Sequence, residues 1–294
     1  MMPFHCPIES NEHLLGWISR VHLLGGNLKF KHTARNLGIS DNPLKSCNHN
    51  EAFRDGLNLL PNLNDAFENH TVFALWSLSL QTEKVLEWKQ CNSKLVPSGS
   101  EPNKFAFHSS WKYCPECICE DINQHGHSIW HAKHQLPSIS HCYKHLTPLL
   151  TDRVNLRDLR TASLPQLYDV LTPEFNNERL MIEWSHFILT IFDRLNTNPA
   201  LGEVLRERAS SYLGISKQFT QKDKPTVVNI QEKMDKEVPL ELLKYLFLFY
   251  SQEFKRPPSV LWSTLGYSVY EKVKHPVYWL IILFWLKDKI SLEI

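Results

Sequence analysis

A mainly α-helical chain with a small metal-binding module in its middle is the fold class this sequence predicts. Apolar residues recur at helical spacing along most of its length. Strand-like alternation is scarce. Two short Cys/His pairs, Cys114-Pro115-Glu116-Cys117 and Cys142-Tyr143-Lys144-His145, sit 24 residues apart near the centre. With 294 residues, two or three units are expected. The expected boundaries give an N-terminal helical, helix-turn-helix-like domain over 1–100, a central zinc-finger module over 101–150 and a C-terminal helical domain over 151–294. A hydrophobic share of 43% is ordinary for chains with packed cores.

The N-terminal elements follow from caps and periodicity. Ser10 suits an N-cap, with Glu12 in the first turn. Leu14, Leu15, Ile18 and Val21 then repeat at helical spacing until Gly25-Gly26 stops the helix. A second short helix is expected from His32 to Leu37, ending at Gly38. Two short helices joined by glycines resemble a helix-turn-helix fragment. Lys29, Lys31 and Arg35 cluster here and suit phosphate contacts; the alternative is a solvated helix face. Further helices are expected over Glu51–Leu60, over Asn64–Leu80 with a break near His70-Thr71, and over Thr82–Leu95. The run Pro97-Ser98-Gly99-Ser100-Glu101-Pro102-Asn103 reads as a linker.

The central module carries the chemistry. Cys-x2-Cys followed by Cys-x2-His offers three thiolates and one imidazole on two tight turns. Such a set suits structural zinc, held tetrahedrally at about 2.3 Å from sulfur and about 2.0–2.1 Å from nitrogen. The alternative makes Cys114 and Cys117 buried thiols or a redox pair. Cys119 stands two residues past Cys117 and His141 adjoins Cys142, so either could replace a named ligand. A Cys-x-x-Cys-x-Cys run suits one zinc poorly, which makes Cys119 a spectator, expected to face the core. Ile129, Trp130 and Leu136 are expected to pack a small helix between the pairs, ended by Pro137. In so small a module the metal contributes much of the folding free energy.

Residues 151–173 read as a polar, proline-punctuated connection. Leu180, Trp184, Phe187, Ile188, Ile191, Phe192 and Leu195 form the clearest amphipathic stripe of the chain. A helix opening at Asn198-Pro199 is stopped at Gly214. Others are expected over Thr226–Lys236, Pro239–Gln252, Tyr267–Lys274 and Pro276–Lys289. Lys217, Lys222, Lys224, Lys255 and Arg256 lie in the connections and complete the candidate phosphate contacts. The run from Val277 to Leu286 is apolar on every face and needs cover all round, from neighbouring helices or from another copy, making a homodimer possible.

Bulk properties narrow the function classes. The net charge of +1 excludes a polycation, so local patches must carry any nucleic-acid contact. Seven cysteines do not suit a disulfide framework, and no apolar leader opens the sequence. A reducing cytoplasm is expected, with no membrane partner, since ten apolar residues are too few for a span. No phosphate-binding Gly-x4-Gly-Lys-Ser/Thr motif and no Gly-x-Ser-x-Gly elbow occurs. No His-x-Glu element of a zinc deaminase occurs either. Four ligands, three of them sulfur, leave no open position for catalytic water. The expectation is a protein that is not an enzyme.

Three stretches together resemble a family: Ser10 to Gly25, Glu68-Asn69-His70-Thr71-Val72-Phe73, and the block Tyr113-Cys114-Pro115-Glu116-Cys117…Gly126…Trp130…Leu136-Pro137…Cys142…His145…Leu149. They look like the TniQ/TnsD family of transposition target-selection proteins, good over about residues 3–150 and looser beyond. The resemblance implies a mostly helical, zinc-containing protein with helix-turn-helix elements. It also implies a non-catalytic adaptor that directs the transposition machinery through the AAA+ ATPase TnsC. TnsD-type members read a chromosomal attachment site. TniQ-type members dock, often as dimers, on an RNA-guided Cascade-type complex. Carried onto this chain, the zinc ligands are Cys114, Cys117, Cys142 and His145. Long TnsD-type members continue with further DNA-binding helices, so the shorter TniQ-type adaptor is favoured.

Overall fold

A computed structural model describes residues 6–39, 59–60, 62–89, 104–107, 110–155, 163–167, 173–215, 223–251, 259–265 and 274–292. They form two compact units, each discontinuous in sequence. The first takes residues 1–73, 87–96 and 109–175, the second 74–86, 97–108 and 176–294. The described residues are mainly helical, with one two-stranded sheet. The metal region is thus part of a larger unit that includes the N-terminal helices. The expected linker at Pro97–Asn103 and the expected helix over Glu51–Leu60, but for its last two residues, lie outside the described residues.

In the first unit, helix α1 spans Leu14–Leu24 and starts three residues later than an N-cap at Ser10 would place it. His13 is its N-cap, with Nδ1 accepting from the Leu15 N–H at 3.2 Å. Asn11 adopts a left-handed φ of 63°, which interrupts any helix beginning at Ser10. Glu12 is therefore not a first-turn surface acid. It is wholly buried and faces Arg20, with Oε2 2.6 Å from Nη2 and Oε1 2.8 Å from Nε. Arg20 also donates to the Pro7 carbonyl at 2.6 Å, which ties down the segment ahead of the helix.

The free N–H groups at the start of α1 are met by backbone from elsewhere in the same unit. His13 N–H donates to Trp130 O at 2.6 Å, and Leu14 N–H to His70 O at 2.8 Å. Ala132 N–H returns to Asn11 O at 2.8 Å. Gly16 lies against Trp130 so closely that a Cβ there would come within 2.7 Å of the indole's own Cβ. Trp130 is also stacked near Trp111, at 4.9 Å between ring centroids, and donates from Nε1 to Ser163 O at 2.7 Å.

Helix α2, Phe30–Leu37, ends at Gly38 in the left-handed conformation, as expected of a C-terminal glycine. His22 Nδ1 and Thr33 Oγ1, 2.7 Å apart, join it to α1. Helix α3, Leu63–Asn69, breaks at His70-Thr71 as the sequence suggested. There Thr71 Oγ1 donates to Phe67 O and accepts from Phe73 N–H, turning the chain into a 3₁₀ stretch, Phe73–Leu78. That stretch beyond Phe73 and most of helix α4, Thr82–Lys89, belong to the second unit.

Strand β1, Ser110–Tyr113, pairs antiparallel with β2, Leu150–Asn155, with Tyr113 opposite Leu150 and Lys112 opposite Thr151. Residues 150–155 therefore form a strand where a connection was expected. The partner strand is distant in sequence, and a pairing of that kind leaves no local periodicity. Helix α5, Pro115–His125, closes at Gly126 with φ 76°. Between α5 and the second Cys/His pair a 3₁₀ turn forms, Lys133–Gln135, in place of the small helix expected around Ile129, Trp130 and Leu136. Ser138, at φ 57°, and Pro137 end it before a full α-turn.

The second unit is built on α6, Glu178–Thr197, capped by the Asn177 carboxamide, and α7, Leu201–Tyr212. A Cβ on Gly202 would meet Ser77 O at 2.3 Å, so a glycine lets α7 approach that backbone. Helices α8 (Lys224–Glu237), α9 (Leu240–Leu246), α10 (Val260–Leu265) and α11 (Val277–Leu286) follow. The sequence reading had no helix at α10, and its expected helix over Tyr267–Lys274 falls almost wholly outside the described residues.

All ten residues of α11 are buried. The cover comes from the chain itself, from α6, α7 and α10. Phe284 meets Trp184 and Phe187 edge-on at 5.3 Å, and Tyr278 stacks near Phe247 at 5.3 Å. The apolar run thus requires no second copy to bury it, and the reason the sequence offered for a homodimer falls away. No described helix is long and apolar enough to cross a membrane.

Candidate metal centre

Local structure positions each of the four donors. Cys114 is the N-cap of α5 and Pro115 its first residue, where a missing N–H does no harm. Cys117 follows one turn in, so both sulfurs face one way. The second pair lies on a tight turn. Cys142 N–H donates to Thr147 O at 2.8 Å and Leu146 N–H to Cys142 O at 3.1 Å, with Leu146 at φ 59°. That turn aims the backbone N–H groups of Lys144 and His145 at Cys142 Sγ, each at 3.4 Å.

The four donor atoms lie within 4.8 Å of one another and could hold a metal ion. His145 Nδ1 is 3.3, 3.4 and 3.6 Å from the sulfurs of Cys114, Cys117 and Cys142. Cys117 and Cys142 are 3.7 Å apart, Sγ to Sγ. A tetrahedral zinc with ordinary bond lengths sets sulfur–sulfur separations near ~3.8 Å and sulfur–nitrogen separations near ~3.5 Å. The donor set and its spacing fit zinc. The three cysteines are buried, and His145 is the exposed edge, with its side chain 20% accessible.

Outer groups complete the centre. Glu120 Oε1 lies 3.2 Å from His145 Nε2, leaving Nδ1 for the metal, and Glu120 is itself ion-paired to Lys144. A carboxylate behind a ligating imidazole fixes its ring and raises its basicity. Burial works against the charge on His145, but hydrogen bonds to Cys114 and Glu120 outweigh it and raise its pKa to about 9. Hydrogen bonding from Cys114 and Cys117, reinforced by backbone N–H groups, holds Cys142 well below the usual thiol range. Hydrogen bonding with Cys114 and Cys142 pushes the Cys117 thiol up. A metal ion would have to displace these protons, so occupancy falls as pH is lowered.

The residues that competed for a place are elsewhere. Cys119 is exposed, on the solvent side of α5 rather than in the core as expected. His141 is buried beside Ser140 Oγ, at 2.9 Å, and packs near Phe175. His125 Nδ1 is 3.2 Å from Glu9. His131 Nε2 lies 3.1 Å from both oxygens of Asp121, and its Nδ1 is 3.2 Å from the Tyr143 hydroxyl.

One of the histidines between the two pairs does lie close to the sulfurs. His134 is fully buried, with Nε2 3.4 Å from Cys142 Sγ and 3.9 Å from Cys117 Sγ. Burial pushes its pKa down to about 3, so the imidazole is neutral. Only its position eight residues before Cys142 could have flagged it, and four other histidines lie between Cys117 and Cys142.

The candidate phosphate contacts are partly placed. Lys29 precedes α2, and Lys31 and Arg35 stand one turn apart on it; all three are exposed. Lys224 begins α8 in the other unit and is also exposed. Lys217, Lys222, Lys255 and Arg256 lie outside the described residues.

Comparison with known proteins points the same way as the site. One curated relative is the transposon Tn7 transposition protein TnsD of Escherichia coli, 23% identical over 90 residues. That stretch covers 29% of this chain and 18% of the relative, so the chain spans well under two thirds of that protein. The TniQ family model matches residues 3–149, half of the chain, taking in α1 to α5 and all four metal donors. The chain belongs to the TniQ family.

Proposed function

We propose that this protein is a target-site selection adaptor for DNA transposition, carrying a structural zinc and catalysing no reaction itself. The observation that carries the reading is the family match over residues 3–149. It encloses a four-donor cluster, three sulfurs and one imidazole, that fills a tetrahedral shell. With no ligand position left for water or substrate, the zinc holds the start of α5 against the Cys142–His145 turn. Its chemistry is cohesion, not activation.

In the favoured form of this reading the adaptor docks on an RNA-guided Cascade-type complex and engages the AAA+ ATPase TnsC. Lys29, Lys31 and Arg35 lie exposed together and supply phosphate contacts that position without reading sequence. The likeness to TnsD supports a second form, direct binding to a chromosomal attachment site.

Affinity purification of the tagged chain from its bacterium tests both. Recovery of an AAA+ ATPase with Cas proteins and a guide RNA is the expected result. An ATPase without Cas proteins, together with tight retention on one chromosomal duplex, selects the second form. Recovery of neither an ATPase nor a specific nucleic acid overturns the adaptor reading.

A further inference from the structure

His134 is buried against the metal donors without being one of the four. Its imidazole sits outside the four-donor cluster, on the Cys117–Cys142 edge. The ring is held from both sides. His131 lies 4.9 Å away, itself locked by Asp121, and Tyr143 lies 5.4 Å away.

A neutral imidazole has one N–H and one lone pair. Nδ1 of His134 is buried without a hydrogen-bond partner. A proton there would leave a donor stranded and set the Nε2 lone pair against sulfur. A proton on Nε2 gives the donor two sulfur acceptors. Loaded with zinc, three thiolates and a neutral His145 carry one net negative charge in a largely dry pocket. Cys142 already receives two backbone N–H groups. For Cys117 the nearest N–H outside the ligand set is His134 Nε2.

We propose that His134 is a positioning residue for the metal centre, donating from Nε2 to the Cys142 and Cys117 thiolates and holding them in their metal-bound form. The inference rests on the zinc reading above. A donor to sulfur withdraws charge from the thiolates, lowers their affinity for protons and slows the loss of metal.

The test uses the full zinc-loaded chain and the rate of zinc transfer to a chromophoric chelator. His134→Phe keeps a ring and removes the N–H. It should release zinc about tenfold faster, or more, the scale of loss when a hydrogen-bond partner of a metal ligand is removed. His134→Gln restores an amide donor and should recover most of the difference. In the cobalt-substituted protein, His134→Phe should shift the sulfur-to-metal charge-transfer band and His134→Gln should return it. Equal release from wild type and His134→Phe, or equal acceleration in Phe and Gln variants, overturns the proposal. Should the Phe variant not fold, the ¹⁵N shifts of the wild-type imidazole decide. A protonated Nε2 supports the proposal and a protonated Nδ1 overturns it. A wild-type chain that binds neither zinc nor cobalt would instead refute the zinc reading itself.

Discussion

Replacing Glu12 by alanine should be among the most damaging single changes in the first unit. Glu12 is 0% exposed and Arg20 2% exposed. The carboxylate accepts three hydrogen bonds, two from Arg20 and one from the Glu9 N–H at 3.0 Å. Removing it leaves a buried guanidinium whose other nearby partners are the Pro7 carbonyl, the Cys6 sulfur and, at 3.9 Å, the Glu9 carboxylate. Stripping one partner from a buried ion pair costs about 3–5 kcal/mol. For a unit of roughly 150 residues, each kcal/mol moves the melting point by about 2–4 °C. A drop of about 6–20 °C is expected. Thermal unfolding followed by tryptophan fluorescence is the assay, since Trp111 and Trp130 lie in the same unit. The double variant Glu12→Met with Arg20→Met should recover most of the loss, because removing both charges also removes their desolvation penalty. A single variant that melts within about 1 kcal/mol of wild type, or a double variant as unstable as the single, would refute the reasoning.

Cys142→Ser should abolish stoichiometric zinc, read by elemental analysis of the purified chain; full metal content in the variant would remove Cys142 from the ligand set. Lys112 is buried, with Nζ donating to Leu136 O and Ile139 O, and burial pushes its pKa down to about 7 from the ordinary 10.5. Between these values the unfolded chain holds a proton that the folded chain does not. Stability should therefore rise with pH across that window, by up to about 1.4 kcal/mol per unit. Lys112→Met should flatten that slope in denaturant titrations at pH 7 to 10, and an unchanged slope would contradict it. Neutralising Lys29, Lys31 and Arg35 together should weaken nucleic-acid association and flatten its salt dependence; equal salt slopes would return these residues to an ordinary solvated face.

The metal donors were legible because ligand geometry is written in short spacings. Cys114 and Cys117 reach one ion from one helical turn, and Cys142 and His145 from one tight turn. The amphipathic stripe from Leu180 to Leu195 was legible for a similar reason, since a long helix repeats its burial every turn. Glu12 misled because its spacing from Ser10 imitates a helix start. Its partner is Arg20, and only the left-handed turn at Asn11 reveals that the acid points inward. Strand β2 was illegible because its register is set by β1, a segment distant in sequence. His134 was hidden among several histidines, and what separates it is its approach to sulfur, 3.4 Å from Cys142 Sγ, which only the folded chain creates. The apolar run Val277–Leu286 announced its need for cover, but which helices supply it depends on the packing of α6, α7 and α10.

The backbone bonds that link residues 11–14 with Trp130, Ala132 and His70 bear on how this protein can be cut and recombined. A zinc finger is usually thought of as a cassette, portable between proteins. Here, excising residues 105–150 would strip Trp130 of the glycine that admits it and leave the Trp130 carbonyl and Ala132 N–H without their partners. The start of α1 would lose its seat as well. Exchange of segments between relatives should therefore succeed when the two Cys/His pairs travel with the rest of their unit, residues 6–73, 87–96 and 109–175. A graft limited to the span between the two Cys/His pairs should yield chains that hold metal poorly and unfold early.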